Sequence, residues 1–261
     1  MSSAFRARQR LGKYRIVKRL SDGPLANVYS ATDTVLSKQV ALKVPHVRTT
    51  RLEHLSDIVN EVRIAAKLEH PNILSLFDAN FIDDCFVIVM PLGDSSLAER
   101  MERRMSNARA TDLALQALEA LAYAHEKGVI HCDIKPENFI LFPGNRLKLA
   151  DFGFSKLSRR TVRGSGSGTI DYIAPEQAMG KPRSASDVFS LGLVLYRLFS
   201  GVLPEYPFAW PPKSIERVES RTSPKFAKVL AKALKTDPKK RFKDAGAMLT
   251  AAKKALRDGS R

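Results

Sequence analysis

The stretch that decides the fold reads His131-Cys132-Asp133-Ile134-Lys135-Pro136-Glu137-Asn138. Two shorter motifs follow it, Asp151-Phe152-Gly153 and Ala174-Pro175-Glu176, and one precedes it, Val40-Ala41-Leu42-Lys43. A single tripeptide such as Asp-Phe-Gly recurs by chance and is weak evidence when it stands alone. The occurrence of all four motifs in this order along one chain leaves a negligible role for chance.

The composition is that of a globular protein with room for two lobes. The chain has 261 residues, of which 44% are hydrophobic and 27% charged, so wholesale disorder is excluded. A single hydrophobic core stops growing at roughly 250–300 residues, which makes a two-lobed arrangement plausible. The two cysteines, Cys85 and Cys132, cannot supply a disulfide framework and indicate a reducing compartment.

The sequence contains no recognisable secretory signal or membrane-spanning stretch. Residues Met1–Arg10 carry three arginines without the apolar run of a secretory signal. The longest apolar stretch, Val188–Phe199, contains Arg197 and is shorter than the roughly 20 residues that a membrane helix needs. We therefore expect a cytoplasmic protein without a transmembrane segment.

The net charge is unusual for a globular protein. Lys and Arg number 43 and Asp and Glu number 27, which gives a formal charge of +16. Such an excess favours nucleic acid, an anionic membrane surface or acidic protein segments as partners, although a solvated basic surface is the simpler explanation. No zinc-ligand spacing, recognition-helix motif or stacking aromatic cluster accompanies the charge, so we expect no nucleic-acid partner.

The hydrophobic pattern changes from strands to helices along the chain. Residues Tyr14–Val44 are strand-like around a turn cluster at Ser21–Pro24, and Phe86–Met90 is a further short strand. Leu52–Leu68 has helical spacing, and Val188–Phe199 is apolar on all sides, which is typical of a buried helix. This order predicts an α+β chain with a small sheet-rich lobe and a larger helical lobe.

Taken together, the four motifs resemble the signature set of the protein kinase family. The resemblance runs from Leu11 to about Leu256 and implies a two-lobed, kinase-like fold that uses ATP and Mg²⁺. The implied layout is a basic N-terminal extension 1–13, a kinase domain 14–257 and a tail 258–261. Within the domain, the N-lobe would span about 14–90, the hinge about 90–94 and the C-lobe about 95–257.

The resemblance also assigns catalytic side chains. Phosphoryl transfer needs the phosphates held, their charge neutralised and the acceptor hydroxyl oriented. Lys43 would hold the α- and β-phosphates and Glu61 would position Lys43, which explains a carboxylate at the border of an apolar helix face. Asp133 would orient the attacking hydroxyl or accept its proton, and Lys135 would stabilise the transferred phosphoryl group.

Metal ligands and the acceptor class follow from the same resemblance. Asn138 and Asp151 offer the hard oxygen ligands that Mg²⁺ prefers. Lys135 lies two residues beyond Asp133, and Thr169 precedes the Ala-Pro-Glu motif, as in Ser/Thr-directed kinases, where such a Thr contacts the catalytic Asp and Lys. We therefore expect a protein substrate with a Ser or Thr acceptor and include Thr169 in the catalytic set.

The implied nucleotide site contains an apolar adenine slot and a phosphate loop. The slot would be lined by Leu20, Val28, Ala41 and Ile140. Either Val89 or Met90 would be the gatekeeper next to the hinge, with Met90 preferred. The three glycine positions of the phosphate loop hold Ser21, Gly23 and Ala26, although glycines are what allow backbone amides to approach phosphate.

The degraded loop leaves two functions open. Weaker ATP binding is expected, because only one of the three glycines is present and Pro24 removes an N–H group. The leading interpretation is an active serine/threonine kinase. The alternative is a pseudokinase scaffold that binds partners with weak or no phosphotransfer.

Other positions are assigned regulatory or structural roles. Cys132 replaces the family's Arg that binds an activation-loop phosphate, and we expect a small buried hydrophobe there instead. Glu176 and Arg241 resemble a buried ion pair, and Asp187 resembles the Asp that bonds the backbone around the catalytic loop.

The sequence also predicts an exposed loop and a helix with a basic face. Ser158–Gly168 is rich in Gly and Ser, which predicts a mobile exposed loop. A later helix carries lysines opposite its apolar face, namely Lys225, Lys228, Lys232 and Lys235. Such a face can dock an acidic partner, but it is more often the solvated side of a packed helix.

Overall fold

The computed structural model describes residues 5–23, 26–46, 52–152, 170–204 and 209–257. The chain divides into two compact units. The first comprises Met1–Glu69 and Leu74–Gly93, and the second comprises His70–Ile73 and Asp94–Arg261. The division at Gly93 falls inside the predicted hinge at 90–94.

The first unit is an antiparallel sheet with one helix. Its strands are β1 Arg10–Leu11, β2 Tyr14–Asp22, β3 Ala26–Asp33, β4 Lys38–Pro45, β5 Asp78–Ile82 and β6 Cys85–Pro91. They form one six-stranded sheet in the order β1-β2-β3-β4-β6-β5. Helix α1, Leu52–Ala66, follows β4. The strands and the helix predicted from periodicity are thereby confirmed.

The sheet begins before residue 14, where the kinase domain was expected to start. Leu11 pairs with Tyr14 and is only 1% exposed, so the segment expected to be a basic extension supplies a core residue. The turn between β1 and β2 requires glycine at Gly12, because its φ is +53° and a Cβ would lie 2.8 Å from Ile82 Cγ2. A two-residue strand is too short for periodicity to reveal.

The second unit is mainly helical. Its helices are α2 Leu97–Met101, α3 Asn107–Glu126, α4 Pro175–Ala178, α5 Ser184–Ser200, α6 Ile215–Arg221, α7 Pro224–Ala233 and α8 Ala245–Arg257. A small antiparallel sheet consists of β7 Ser95–Ser96, β8 Phe139–Phe142 and β9 Arg146–Leu149. Short 3₁₀ turns occupy Pro136–Asn138, Pro143–Asn145, Ile170–Tyr172 and Pro238–Lys240.

Helix α5 is the buried centre of this unit, as its apolar pattern predicted. All residues from Ala185 to Tyr196 are buried, whereas Arg197 is half-buried. The helix ends at Gly201, whose φ of +80° is left-handed and whose N–H donates to the carbonyl of Arg197 at 2.8 Å. Despite this apolar helix, the described part of the chain contains no helix long and apolar enough to cross a membrane.

Helix α7 is amphipathic and separates its two kinds of side chain cleanly. The apolar residues Phe226, Val229, Leu230 and Ala233 are buried. The four lysines predicted for the opposite face are exposed, namely Lys225, Lys228, Lys232 and Lys235. Lys232 Nζ lies 4.4 Å from the centre of the Phe242 ring. This is the arrangement of a packed helix with a solvated basic face.

Candidate active site

The loop around His131 is anchored on one buried carboxylate at the start of α5. Asp187 is fully buried, and its Oδ2 accepts hydrogen bonds from His131 N at 2.7 Å and from His125 Nε2 at 2.9 Å. Its Oδ1 accepts a hydrogen bond from Cys132 N at 2.8 Å. The predicted role of Asp187 in bonding this backbone is confirmed. These bonds support Cys132 at a φ of +62°, a conformation that costs energy for a residue with a Cβ.

The His131 side chain ties the loop to the end of β9. Its Nδ1 accepts a hydrogen bond from Asp133 N at 3.2 Å, and its Nε2 donates to the carbonyl of Ala150 at 2.8 Å. The imidazole also lies edge-on to the Phe152 ring, with 4.8 Å between ring centres. His131 is fully buried, so its ring fixes the position of the backbone that carries Asp133.

Three polar side chains of the loop converge on one another. Lys135 Nζ lies 2.9 Å from Asp133 Oδ2. Asn138 Nδ2 donates to the same oxygen at 3.0 Å and to the carbonyl of Asp133 at 2.7 Å. Asp133 and Lys135 are half-buried, whereas Asn138 is buried. The structure therefore brings together three of the residues that the sequence selected, as a carboxylate held between an ammonium group and an amide.

Asp151 leaves strand β9 immediately beside this cluster. The N–H of Ala150 donates to the carbonyl of Asn138 at 2.8 Å, which fixes the two chain segments side by side. Asp151 is half-buried and has a φ of +64°, so the backbone turns at this residue. Asn138 and Asp151 thus belong to neighbouring segments, because Asn138 accepts this hydrogen bond and Asp151 directly follows its donor, Ala150.

The Ala-Pro-Glu segment is held by a buried ion pair. Glu176 Oε1 and Oε2 accept hydrogen bonds from Arg241 at 2.8 and 3.0 Å, and Ser186 Oγ donates to Oε1 at 2.6 Å. Burial opposes ionisation of Glu176, but the hydrogen bonds from Arg241 and Ser186 outweigh it, so the pKa of Glu176 is lowered. The predicted pair is confirmed.

Arg241 uses every donor that it has. Besides the two bonds to Glu176, its guanidinium donates to the carbonyls of Lys235, Ala185 and Thr236 at 2.6, 2.9 and 2.9 Å. These bonds occupy all five N–H groups of an arginine. The pair therefore joins α4, α5 and the turn after α7.

Two contacts near the loop were missed by sequence reasoning. Gln177 Nε2 donates to the carbonyl of Cys132 at 2.6 Å, which ties α4 to the backbone next to Asp133. His125 accepts a hydrogen bond from Ala245 N at 3.0 Å through its Nδ1 and so links Asp187 to α8. Gln177 gave no sequence signal, whereas His125 was a polar residue close to the apolar stripe of α3.

In the first unit, strand register shows which face of the sheet carries each residue predicted to bind nucleotide. Tyr29, Leu42 and Val89 are cross-strand neighbours inside the buried core cluster. The next pair, Ala41 and Met90, therefore lies on the other face. Lys43 shares that face because it is two residues from Ala41, and Val28 shares it as the cross-strand partner of Lys43. Lys43 is 6% exposed and Met90 is 8% exposed.

The turn that corresponds to the phosphate loop is only partly described. Gly23 N donates to the carbonyl of Ala26 at 3.1 Å, and His46 Nε2 lies 2.8 Å from the carbonyl oxygen of Gly23. The contact from His46 was not predicted, because nothing in the sequence indicates that the end of β4 reaches this turn. Leu20 and Ser21 are exposed on β2.

Several predictions fall outside the described residues or away from this cluster. Thr169, Pro24 and the segment 158–168 lie outside the description, as does the side chain of Glu61 on α1. Ile140 is half-buried on β8 and pairs with Ser96. Cys132 is 6% exposed, which confirms the prediction of a small buried residue. Neither Cys85 nor Cys132 forms a disulfide.

Comparison with known proteins agrees with this geometry. The protein kinase domain model matches residues 14–252. Serine/threonine-protein kinase PknJ of Mycobacterium tuberculosis is 35% identical over an alignment of 274 residues. The alignment covers 95% of this chain and 46% of that protein. Serine/threonine-protein kinase PrkC of Bacillus subtilis is 33% identical over 206 residues, which cover 74% of this chain and 31% of that protein. The chain thus spans less than half the length of these two relatives.

Solved structures show the same fold. The PknI kinase domain of Mycobacterium tuberculosis is 26% identical, with a TM-score of 0.73 over 97% of this chain and 99% of that one. The structure titled PpkA-294 apo form has a TM-score of 0.78 at 19% identity over 96% of this chain and 100% of that one, a likeness of fold alone. The chain therefore belongs to the protein kinase family, on its serine/threonine branch, and has the two-lobed α+β kinase fold.

Proposed function

We propose that this chain transfers the γ-phosphoryl group of Mg²⁺-ATP to a serine or threonine hydroxyl of a protein substrate. One observation carries the proposal: the Asp133 carboxylate is held between the Lys135 ammonium group and the Asn138 amide, on a loop fixed by Asp187. Phosphoryl transfer depends mainly on positioning and electrostatic stabilisation, and this cluster supplies both.

Each member of the cluster has a distinct chemical task. Asp133 accepts a hydrogen bond from the acceptor hydroxyl, orients the oxygen for in-line attack and takes its proton. Lys135, whose ammonium nitrogen lies 2.9 Å from the Asp133 carboxylate, neutralises negative charge on the transferred group. Thr169 would contact the same pair from the segment before the Ala-Pro-Glu motif.

The residues present suit a magnesium ion that is shared with phosphate. Because Asn138 donates through its amide nitrogen to Asp133, its amide oxygen is the atom suited to a metal, and Asp151 adds a carboxylate. Among the described residues, no group of three or more His, Cys, Asp or Glu side chains forms a metal site. Two protein oxygen ligands, with phosphate and water completing the shell, fit that finding. Bound Mg²⁺-ATP supplies the phosphoryl donor and neutralises its charge.

Nucleotide binding is assigned to the face of the first unit that carries Lys43. Lys43 would hold the α- and β-phosphates with Glu61 as its partner, and Ala41 and Val28 would contact adenine with Leu20 and Ile140. Met90 shares the face of Ala41, whereas Val89 belongs to the core, so we assign the gatekeeper to Met90. Ser21, Gly23 and Ala26 would border the phosphates.

Two accompanying predictions extend beyond the site. A cytoplasmic location agrees with the absence of a disulfide between the two cysteines. An acidic partner at the basic face of α7 is less well supported, because those lysines are arranged as a solvated helix face and Lys232 packs on Phe242.

Two measurements test the proposal. One asks which residue of a peptide accepts the phosphoryl group, and the other compares a matched pair of variants. Labelled ATP and Mg²⁺ are incubated with a peptide whose single acceptor is Ser, Thr, Tyr or Ala. We expect label on Ser or Thr only, a loss of about a hundredfold or more in Asp133→Asn, and full activity in Asp84→Asn, an exposed turn residue. Transfer no faster in the wild type than in Asp133→Asn would favour the pseudokinase scaffold.

A further inference from the structure

A second concave site in the helical unit is lined by arginines. Its volume is about 400 Å³, within the range of roughly 300–1,000 Å³ that is usual for ligand pockets. Methionine side chains supply apolar wall, namely Met101 and Met105. Four arginines line it: Arg103, Arg104, Arg197 and Arg221. Phosphoryl transfer as described above uses none of these residues.

Two of the arginines hold the cavity wall in place. Arg221 donates to Asn107 Oδ1 at 2.9 Å and to the carbonyl of Met105 at 2.9 Å, with further bonds to the end of α5. Arg197 donates to Tyr172 Oη at 2.9 Å and to Glu102 Oε1 at 3.3 Å. Arg221 is therefore a structural residue, whereas Arg197 joins the cavity to the segment just before Ala174-Pro175-Glu176.

The other two arginines contribute charge without compensation. Arg103 and Arg104 are exposed, and within the described ranges their guanidinium groups have no hydrogen bond or ion pair to the protein. Their backbone is fixed instead, because Arg100 Nη1 donates to both of their carbonyls at 3.2 and 3.1 Å. Burial, followed by repulsion from Arg109 and Arg103, lowers the pKa of Arg100, which indicates crowded positive charge.

Negative charge around the cavity is sparse. Glu102 is the acidic residue of its lining, and the Glu102 side chain is 71% exposed while it contacts Arg197. Glu137 also lies within electrostatic reach of Arg197 and Tyr172. An exposed ion pair such as Arg197–Glu102 is weak, so an incoming anion can replace Glu102 as the partner of Arg197.

The cavity is connected to the acceptor side of the candidate active site. Arg197 contacts Tyr172, and Tyr172 lies five residues before Gln177, which donates to the carbonyl of Cys132 beside Asp133. A peptide that fills the cavity would therefore be held by the same scaffold that positions Asp133.

We propose that this arginine-lined cavity binds an acidic segment of the protein substrate, so that anionic side chains of the substrate select it for phosphorylation. The proposal rests on the proposed function, since it concerns substrates of the same kinase site. Arg103 and Arg104 present planar guanidinium groups that match carboxylate or phosphate, and Met101 and Met105 accept the aliphatic parts of the peptide. A peptide suits this concave site with its apolar wall, whereas a nucleic acid would need an extended basic surface.

The experiment compares one acceptor peptide in three forms. Each form has the same Ser acceptor, and its flanking positions carry Glu, phosphoserine or Gln. Binding is measured by fluorescence anisotropy, which does not require catalysis, and transfer is measured as kcat/KM. The variants are Arg103→Gln with Arg104→Gln, and a control with equal charge loss, Lys239→Gln with Lys240→Gln, which are exposed elsewhere in the unit.

We expect the wild type to bind the Glu or phosphoserine peptide at least tenfold more tightly than the Gln peptide. The arginine variant should lose about tenfold in affinity and in kcat/KM for the anionic peptides. On the Gln peptide, both quantities should remain within twofold of the wild type. The lysine control should match the wild type on all three peptides. Preference for phosphoserine alone would assign the cavity to substrates that are already phosphorylated; binding of both would assign it to acidic segments generally.

Other results would overturn the proposal. Equal affinity of the wild type for all three peptides would show that the protein does not recognise their anionic groups. Equal losses in the arginine and lysine variants would show that only the net charge of the protein matters. Binding of single-stranded nucleic acid that the Glu peptide fails to displace would also overturn it. Selective peptide binding without transfer to any acceptor would instead contradict the proposed function and leave the acidic-peptide site standing.

Discussion

The loop 131–138 and the described residues of the turn 21–26, which are 21–23 and 26, differ in the hydrogen bonds that hold them. The first is tied down by many bonds: Asp187 accepts two hydrogen bonds from the loop and a third from His125, and the His131 ring makes two more. In the described part of the second, Ser21 and Asp22 are exposed and Ala26 is buried, a backbone bond joins Gly23 to Ala26, and His46 contacts the Gly23 carbonyl.

This difference explains which part of the kinase pattern the chain has kept. At the loop, Asp187, His131 and Asn138 each bond two or three other groups, so that one replacement leaves several groups unsatisfied. At the turn, Ser21 is exposed and Ala26 is buried, and each adds only a small side chain to the backbone. We therefore expect replacements in the loop to cost more than replacements in the turn.

The largest effect is expected from replacing Asp187, the carboxylate that anchors the loop. We expect Asp187→Asn to lower kcat by more than a hundredfold and the free energy of unfolding by about 3 kcal/mol, because the amide nitrogen would face the N–H group of either His131 or Cys132. Peptide phosphorylation and urea unfolding measure the two effects. Asp237→Asn, at an exposed capping position, is the matched control. A small loss in both measurements would show that the loop does not depend on its anchor.

A second change tests whether the Ala-Pro-Glu segment is equally dependent on its buried pair. Glu176→Gln leaves Arg241 without its counter-charge, and we expect a loss of about 3 kcal/mol in the free energy of unfolding at pH 7. Urea unfolding measures this loss. Glu102→Gln, which removes an exposed ion pair, should cost less than about 1 kcal/mol.

The same pair predicts a pH dependence. The folded-state pKa of Glu176 is below its ordinary value of 4.5, so protonation favours the unfolded chain. Its contribution is complete above pH 4.5 and is lost as the pH falls through the lower folded-state pKa. Wild type should therefore lose more stability than Glu176→Gln between pH 5 and pH 3. Parallel stability curves for the two proteins would contradict this account.

The smallest effect is expected at the turn. Ser21→Gly together with Ala26→Gly should lower the KM for ATP by about two- to fivefold, because backbone amides regain closer approach to phosphate while glycine adds entropy to the free loop. Initial rates at varied ATP measure this. Ser37→Gly, in an exposed turn with φ of +50°, controls for added glycine elsewhere. An unchanged or higher KM would show that this turn does not limit nucleotide binding.

Much of the fold was predictable because its signals are local. The buried helix α5 has an apolar pattern on all sides, and the amphipathic α7 shows its lysine face directly in the sequence. The Asp133, Lys135 and Asn138 cluster lies within six residues, so its motif identifies it. Glu176 and Arg241 are 65 positions apart and were paired by family resemblance and not by periodicity.

Other contacts were not predictable because they depend on tertiary placement. Gln177, His46 and Arg197 are ordinary polar residues whose partners lie in other segments. The choice between Val89 and Met90 needed strand register, since a shift of one residue exchanges the two faces of a strand.

The most direct test of the central claim separates chemistry from binding at Asp133. The single-turnover rate at saturating Mg²⁺-ATP is measured for wild type and Asp133→Asn, together with the affinity of each protein for ATP. We predict a rate at least a hundredfold lower in the variant, with ATP affinity within about twofold, because the loop stays anchored by Asp187 and only the carboxylate is lost. Equal single-turnover rates would contradict the assignment of phosphoryl transfer to this cluster.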